Sequence, residues 1–210
     1  MNIPASSIQY TNFSINCSGR LVDLNTPKIM GILNLTPDSF SDGGKFNNEK
    51  SALLHAEKLL KDGADFIDIG AQSTRPNAEF LSADEEIRRI GNMISLIKKE
   101  FPEALISIDT FYADVVKFGY NEGMDVVNDI SGGDFDENLL KTVAETKLPY
   151  ILMHSNSTYQ NMHEKIHYDD IIVHLNYYFS KKINELQKLG INDIILDPGF
   201  GFGKTVEDQY

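Results

Sequence analysis

The chain has 210 residues, of which 41% are hydrophobic and 24% charged, and its net charge is −12 at pH 7. This length suits one folded domain with a single core, and the acidic balance argues against a nucleic-acid partner, whose phosphates require clustered Lys and Arg. No apolar run approaches the ~20 residues that span a bilayer, and a single cysteine, Cys17, excludes an internal disulfide. With no basic, apolar start typical of a secretory signal, we expect a cytoplasmic protein.

The first predicted element is a β-hairpin. Residues Ile8 to Leu24 alternate loosely between polar and apolar types around the turn-forming run Cys17-Ser18-Gly19-Arg20. A turn of this kind between two short alternating segments is typical of a hairpin. We therefore expect the first 26 or so residues to form an extension that precedes the main fold, in a chain that is otherwise one domain over residues 1–210.

From Lys28 onward, short apolar runs alternate with amphipathic segments. The six predicted strands end near Leu33, Ile69, Ile108, Asn128, Met153 and Asp197. The predicted helices between them include one over residues 87–101, behind the capping box Ser82-x-x-Glu85, and a long one that begins near Ile171. Steady alternation of strand and helix indicates a parallel β/α architecture.

Two parallel architectures fit this alternation. A doubly wound sheet is complete with six strands, whereas a (β/α)8 barrel needs eight strands and typically about 250 residues. The polar residues favour the barrel, because one lies at or just past the end of each strand, and such groups converge at a barrel's mouth. They are Asn34, Asp68, Asp109, Asn128, His154 and Asp197.

Two motifs suggest other chemistry and are rejected. The run Gly199 to Thr205 is not a nucleotide-binding loop, because Pro198 stands where that motif requires its first glycine. We expect Lys204 and Thr205 instead to begin a helix whose amino terminus favours anions. The zinc-protease pattern His163-Glu164-Lys165-Ile166-His167 lies in a polar loop and not on a helix of its own.

Three of the strand-end residues form a chemically coherent set. Asp109, Asn128 and Asp197 offer a carboxylate, an amide and a second carboxylate, although each alone could merely cap a helix or satisfy a loop. Carboxylates accept hydrogen bonds from ring N–H and exocyclic NH₂ groups, and an amide both donates and accepts. Together they suit an aminopyrimidinone ring.

Longer motifs carry a family resemblance. Residues 30–44, MGILNLTPDSFSDGG, and the segment from Gly63-Ala64-Asp65 to Ser73-Thr74-Arg75-Pro76 resemble the two signatures of the dihydropteroate synthase family. The runs at residues 107–110, 127–133 and 196–199 resemble its pterin-binding strand ends. The resemblance implies an α/β fold, a (β/α)8 TIM barrel with an N-terminal β-hairpin, of which this chain represents roughly the first six β/α units.

The resemblance also implies a role for particular residues. Asp109, Asn128 and Asp197 would hold the pterin ring, with Thr74 in contact with it and Asn34 coordinating Mg²⁺. Asp38 and Arg75 would stabilise charge during catalysis. The remaining expected contacts are apolar: Ile130, Met153 and Phe202 around the pterin, and Phe40 and Pro76 around p-aminobenzoate.

The implied reaction condenses (7,8-dihydropterin-6-yl)methyl diphosphate with 4-aminobenzoate, in a homodimeric transferase of folate biosynthesis that sulfonamides target. Two departures bear on it. Ser155-Asn156-Ser157-Thr158 replaces a Met-Arg-Gly-Thr-like run of the family, and nothing in the chain supplies the Ser-Arg-Lys and Arg-x-His stretches of the family's last two strands. The alternatives are a catalytically inactive, shortened pterin-binding chain and a pterin-dependent methyltransferase.

Overall fold

A computed structural model describes residues 13–36, 45–72, 81–155 and 166–209. Strands and helices alternate through most of this part of the chain. The strands are β1 Ser14–Cys17, β2 Arg20–Asp23, β3 Met30–Asn34, β4 Phe66–Gly70, β5 Leu105–Asp109, β6 Val126–Asp129, β7 Tyr150–Met153 and β8 Ile194–Asp197. The helices are α1 Lys45–Lys61, α2 Ala83–Ile90, α3 Met93–Glu100, α4 Ala113–Glu122, α5 Leu139–Thr146 and α6 Ile171–Lys188, followed by a 3₁₀ turn at Glu207–Gln209.

The main sheet decides between the two parallel architectures. Its six strands are all parallel and lie in the order β3-β4-β5-β6-β7-β8, which is their order in the chain. A doubly wound sheet reverses its strand order at a switch point, and a barrel does not. The prediction of the barrel fold is therefore confirmed. In the described sheet β3 and β8 lie at the two edges, where Ile32 is 60% and Leu196 is 43% exposed.

One predicted helix is divided in two. Residues 87–101 form parts of α2 and α3, because Gly91 adopts a positive φ of 52° and its amide caps α2 by donating to Ile87 O. Ser82 caps the start of α2 as the sequence predicts, accepting from the Glu85 amide. The long helix predicted near Ile171 is confirmed as α6, which Asp170 caps. Within the described ranges, no helix has both the length and the apolar character required to cross a bilayer.

The predicted hairpin is confirmed over Ser14–Asp23, whereas residues 8–12 of the predicted segment lie outside the described residues. The hairpin covers the amino-terminal end of the sheet. Ser18 and Gly19 form its two-residue turn with φ values of 52° and 92°, as a tight hairpin turn requires. Its buried side chains pack against the first or second residues of the main strands. This cluster contains Ile15, Cys17, Val22, Phe66, Leu105, Val126 and Ile151. The carboxyl ends of the strands lie at the other end of the sheet.

Candidate active site

The strand-end polar residues occupy neighbouring positions in the sheet. Asn34 pairs in register with Gly70, Gly70 with Asp109, and Asp109 with Asn128. Farther along the sheet, Met153 pairs with Asp197. The register therefore places three predicted site residues of β3, β5 and β6 in one row, with Gly70 between two of them.

The residues that follow the strands continue the main-chain hydrogen bonding of the sheet. The Leu35 amide donates to Gly70 O at 2.8 Å, and the Thr110 amide donates to Asn128 O at 3.0 Å. On the other side of the sheet, the His154 amide donates to Asp197 O at 2.9 Å. Because these hydrogen bonds fix the peptide after each strand, the backbone positions of the site residues are fixed as well.

Gly70 provides space between two of these side chains. A Cβ atom on Gly70 would lie 2.9 Å from Asn34 Oδ1 and 3.9 Å from Asp109 Oδ2. Contacts below 3.0 Å are not tolerated by a real Cβ, so a larger residue would displace the Asn34 side chain. The absence of a side chain at Gly70 thus lets Asn34 and Asp109 approach one another across β4.

Carboxyl groups crowd the centre of the row. Asn128 Nδ2 donates to Asp68 Oδ2 at 3.1 Å, which links β6 to β4. Burial raises the pKa of Asp68, and it raises the pKa of Asp109 well above its ordinary value, with further contributions from the negative charges of Asp68, Glu86 and Asp129. A ligand that donates hydrogen bonds to Asp109 would stabilise its ionised form and so lower its pKa.

Asp197 begins a loop that a buried lysine holds in place. Asp197 Oδ1 accepts from the Gly199 amide at 2.8 Å. Lys204 Nζ donates to the carbonyl oxygens of Gly199 at 3.0 Å and of His154 and Phe202 at 3.2 Å each. Only 5% of Lys204 is exposed, and burial lowers its pKa to about 8.

The prediction that Lys204 and Thr205 begin a helix and form an anion site is therefore wrong. The Lys204 ammonium has three donor hydrogens, and three carbonyls accept them. The Thr205 amide and hydroxyl both donate to Asp208 Oδ2 at 2.8 Å. These groups stabilise the loop itself, and the only helix that follows in the described chain is the 3₁₀ turn at residues 207–209.

The three apolar residues predicted around the pterin belong to the main core. Ile130 and Met153 are buried, at 6% and 3% exposure, and Phe202 packs partly buried against the same cluster. The loop that carries Ile130 is shaped by Asp129, which accepts from the amides of Ser131 and Gly133 at 2.7 Å. The burial of Ile130, Met153 and Phe202 is compatible both with packing in the core and with lining a pterin pocket.

Five predicted site residues lie outside the described residues. They are Asp38, Phe40, Thr74, Arg75 and Pro76. Gln72 and Leu81, the described residues on either side of residues 73–80, make two hydrogen bonds to one another. Gln72 Nε2 donates to Leu81 O at 3.0 Å, and the Leu81 amide donates to Gln72 Oε1 at 3.2 Å.

His154 does not join the strand-end row as the sequence suggests. Its Nε2 lies 3.1 Å from Nε2 of His174, and its ring packs edge-on against Tyr178, so it faces α6. Successive side chains of a strand point to opposite faces, and Met153 already points inward. Burial, with the charge of Lys204 as a smaller cause, lowers the pKa of His154 to about 4.

Sequence reasoning missed two buried acids near the row. The prediction that Asp68 lies at a strand end is wrong, because β4 continues to Gly70 and Asp68 is the third of its five residues. The motifs assign Asp68 no role; its spacing of two residues from Gly70, which puts both on one face of β4, is the available signal. Glu86 lies in the acidic run Asp84-Glu85-Glu86 and looks like a surface residue, yet it is fully buried. Its spacing of four residues from buried Ile90 places both on one helix face.

The residue expected to coordinate Mg²⁺ is described by the structure. Asn34 lies at the end of β3, and its carboxamide oxygen is a hard donor of the kind that can coordinate Mg²⁺. In the described ranges, no group of three His, Cys, Asp or Glu side chains could hold a metal.

Comparison with known proteins gives the family. The sequence model described as "Pterin binding enzyme" matches residues 30–210 of the chain. The chain belongs to the pterin binding enzyme family. A dihydropteroate synthase of Synechocystis is 44% identical over 183 residues, which are 86% of this chain and 63% of that protein.

Solved structures of dihydropteroate synthases share the fold closely. A Yersinia pestis dihydropteroate synthase in complex with a sulfonamide drug has a TM-score of 0.85 and 40% identity, over 94% of this chain and 72% of that one. A Xanthomonas albilineans dihydropteroate synthase with 4-aminobenzoic acid has a TM-score of 0.84 and 34% identity, over 94% and 70%. The chain spans 28% to 63% of the length of several curated relatives that it matches.

Proposed function

We propose that the protein is a dihydropteroate synthase, which joins (7,8-dihydropterin-6-yl)methyl diphosphate to 4-aminobenzoate and releases diphosphate. The observation that carries the proposal is the placement of Asp109 and Asn128 side by side at the carboxyl end of the sheet, in a chain of the pterin-binding family. Ligand sites of parallel barrels lie at this end. Asp197, at the end of β8, supplies the second carboxylate.

The pterin ring would bind by matched hydrogen bonds. Its 2-amino group and ring N–H groups donate, and the carboxylates of Asp109 and Asp197 accept. Asn128 uses its amide nitrogen to donate to Asp68, which leaves its carbonyl oxygen for the ligand. Ile130 and Met153, which belong to the main core, and Phe202, which packs against it, would line the faces of the ring.

The chemistry follows from this binding. The bond between the pterin methylene carbon and the diphosphate oxygen breaks with both electrons passing to the oxygen, and the arylamine nitrogen of 4-aminobenzoate then attacks the methylene carbon and loses a proton. Asp109 and Asp197 stabilise the positive charge that spreads into the ring. When bound at Asn34, Mg²⁺ would supply positive charge to the diphosphate.

Other parts of the proposal concern residues outside the described ranges and the assembly. Asp38 and Arg75 would stabilise charge, Thr74 would contact the pterin, and Phe40 and Pro76 would contact 4-aminobenzoate. The Xanthomonas albilineans dihydropteroate synthase, solved with 4-aminobenzoic acid, supports that acid as a substrate here. We also propose sulfonamide inhibition, a homodimer and a cytoplasmic location; light scattering would measure the dimer.

The test is a paired measurement of turnover and binding. The protein expressed from its full reading frame should release pyrophosphate only when both substrates are present, and should bind 6-hydroxymethylpterin in calorimetry. Asp197→Asn keeps an acceptor for the Gly199 amide but removes the charge, so pterin affinity should fall by about tenfold or more while the melting temperature changes little. Pterin affinity unchanged in both Asp197→Asn and Asp197→Ala would contradict the assignment.

A further inference from the structure

A buried acid lies behind the strand-end row, on a helix that contributes nothing else to the proposed site. Glu86 is fully buried in α2. Its Oε2 accepts from Thr110 Oγ1 at 2.8 Å; its Oε1 makes no hydrogen bond of ordinary geometry within the described ranges, although the Gln72 side chain also interacts with this carboxyl group. A buried carboxyl with one unused oxygen is costly to keep. Packing alone would be served better by an apolar side chain, so the acid indicates a role beyond packing.

The partner of Glu86 is the residue that fixes the proposed pterin ligands. Thr110 directly follows Asp109, and its amide donates to Asn128 O at 3.0 Å. Its hydroxyl donates to Glu86 and accepts from the Tyr112 amide at 3.2 Å, so both of its polar groups are engaged. One main-chain and two side-chain hydrogen bonds therefore hold Thr110, the residue after Asp109, in place, and Glu86 makes one of them.

Electrostatics agree with this placement. The charges that bear on Asp109 come from Asp68 on β4, Glu86 on α2 and Asp129 on β6, and all are negative. Burial raises the pKa of Glu86 to about 7, while hydrogen bonds from Thr110 and Gln72 and the charge of Arg89 lower it. Below neutral pH, Glu86 thus keeps its hydrogen bond to Thr110 without adding a charge beside Asp109.

We propose that Glu86 is a positioning residue for pterin binding: through the Thr110 hydroxyl, it holds the Asp109 carboxyl and the Asn128 amide in the orientation that pairs with the pterin ring. This inference rests on the proposed function. It adds a residue that touches neither substrate and acts from 24 positions upstream in the chain, through a single side-chain hydrogen bond.

Three variants test it in the protein expressed from its full reading frame. The probe is 6-hydroxymethylpterin, titrated by calorimetry between pH 5.5 and 8.5. Glu86→Leu removes the acceptor for Thr110 and should weaken binding about tenfold at every pH. Glu86→Gln keeps a neutral acceptor and should bind within about threefold of the wild type at pH 6. As the pH rises through about 7 and Glu86 ionises, the affinity of Glu86→Gln relative to the wild type should increase.

Thr110→Val tests the same hydrogen bond without depending on whether the Glu86→Leu variant folds. It removes the same hydrogen bond from the other side, so it should weaken binding by a similar factor, and adding Glu86→Leu to it should cost little more. Glu86→Leu with wild-type affinity, equal effects of Gln and Leu, or independent effects of the Glu86 and Thr110 changes would each overturn the inference. Failure of the wild type to bind the pterin would instead overturn the proposed function.

Discussion

Asn34 Oδ1 lies over Gly70, at 2.9 Å from the position that a methyl group on Gly70 would occupy. We predict that Gly70→Ala displaces the Asn34 side chain, because contacts this short are not tolerated. The expected result is a rise in the Mg²⁺ concentration needed for half-maximal pyrophosphate release, by about threefold to tenfold, as for one misplaced ligand. The fold itself should survive, since Gly70 does not have a positive φ.

The Asn34→Ala background provides the control for this prediction. If Gly70→Ala acts by displacing Asn34, it should have almost no further effect where the Asn34 side chain is already removed. An undiminished effect in that background would show that the methyl group disturbs something else, with Asp109 Oδ2, 3.9 Å away, the next atom to consider.

Lys204 should stabilise the loop that carries Phe202. Lys204→Met keeps the apolar length of the side chain but removes all three hydrogen bonds to the carbonyls of His154, Gly199 and Phe202. We expect a loss of about 2–4 kcal/mol in unfolding free energy, because buried acceptors are left unpaired, together with weaker pterin binding. Urea unfolding measures the first and calorimetry the second. Lys181→Met, at an exposed position of α6, should change neither.

Tyr150 should stabilise the fold through Asp129 rather than through catalysis. Its hydroxyl donates to Asp129 Oδ2, and the ring is fully buried. Tyr150→Phe leaves that carboxylate oxygen with one donor fewer, so the free energy of unfolding should fall by about 1–3 kcal/mol. Tyr177→Phe, at a tyrosine that is 73% exposed, is the matched control and should be neutral. Equal stability of the two variants in urea would contradict a stabilising role for this bond.

Glu86 should make stability depend on pH near neutrality. Its pKa rises from an ordinary 4.5 to about 7 in the folded protein because it is buried. Between these values the folded state keeps a proton that the unfolded state loses, so this group's contribution to stability is complete below pH 4.5 and lost as the pH rises to about 7. Glu86→Gln abolishes this loss and should gain up to about 3 kcal/mol on the wild type between pH 5 and 8.

The neighbouring Glu85 supplies the control. Arg88 and Arg89 hydrogen bond to it and lower its pKa to about 2. Its contribution to stability is therefore present above the ordinary pKa of 4.5 and lost only as the pH falls below it. Glu85→Gln should leave the difference in unfolding free energy between pH 5 and pH 8 as in the wild type, and a parallel change in both variants would exclude Glu86 as the source.

Local features of the fold were predictable where neighbouring residues decide them. The hairpin turn at Ser18-Gly19, the Ser82 cap of α2 and the apolar runs of the six strands all depend on interactions within a few positions. The break at Gly91 was not predicted, because the apolar spacing continues through it and a glycine within a helical pattern is often tolerated.

Some positions of the candidate site were likewise predictable from the sequence, and others were not. Motifs alone predicted Asp109, Asn128 and Asp197, since the carboxyl ends of parallel strands meet at one end of the sheet. The same rule misplaced His154, which follows β7 but faces α6. It also assigned Lys204 to an anion, whereas three carbonyls from the loop and from the end of β7 surround its ammonium group.

By itself, the sequence determined the alternation of strands and helices, the hairpin, the family resemblance and the set of strand-end polar residues, because periodicity and motifs are properties of neighbouring positions. Only the tertiary structure decided the strand order, the approach of Asn34 to Gly70 and the burial of Glu86 behind Thr110. These depend on contacts between residues far apart in the chain, and burial, which sets the pKa of Glu86, exists only once those contacts have formed.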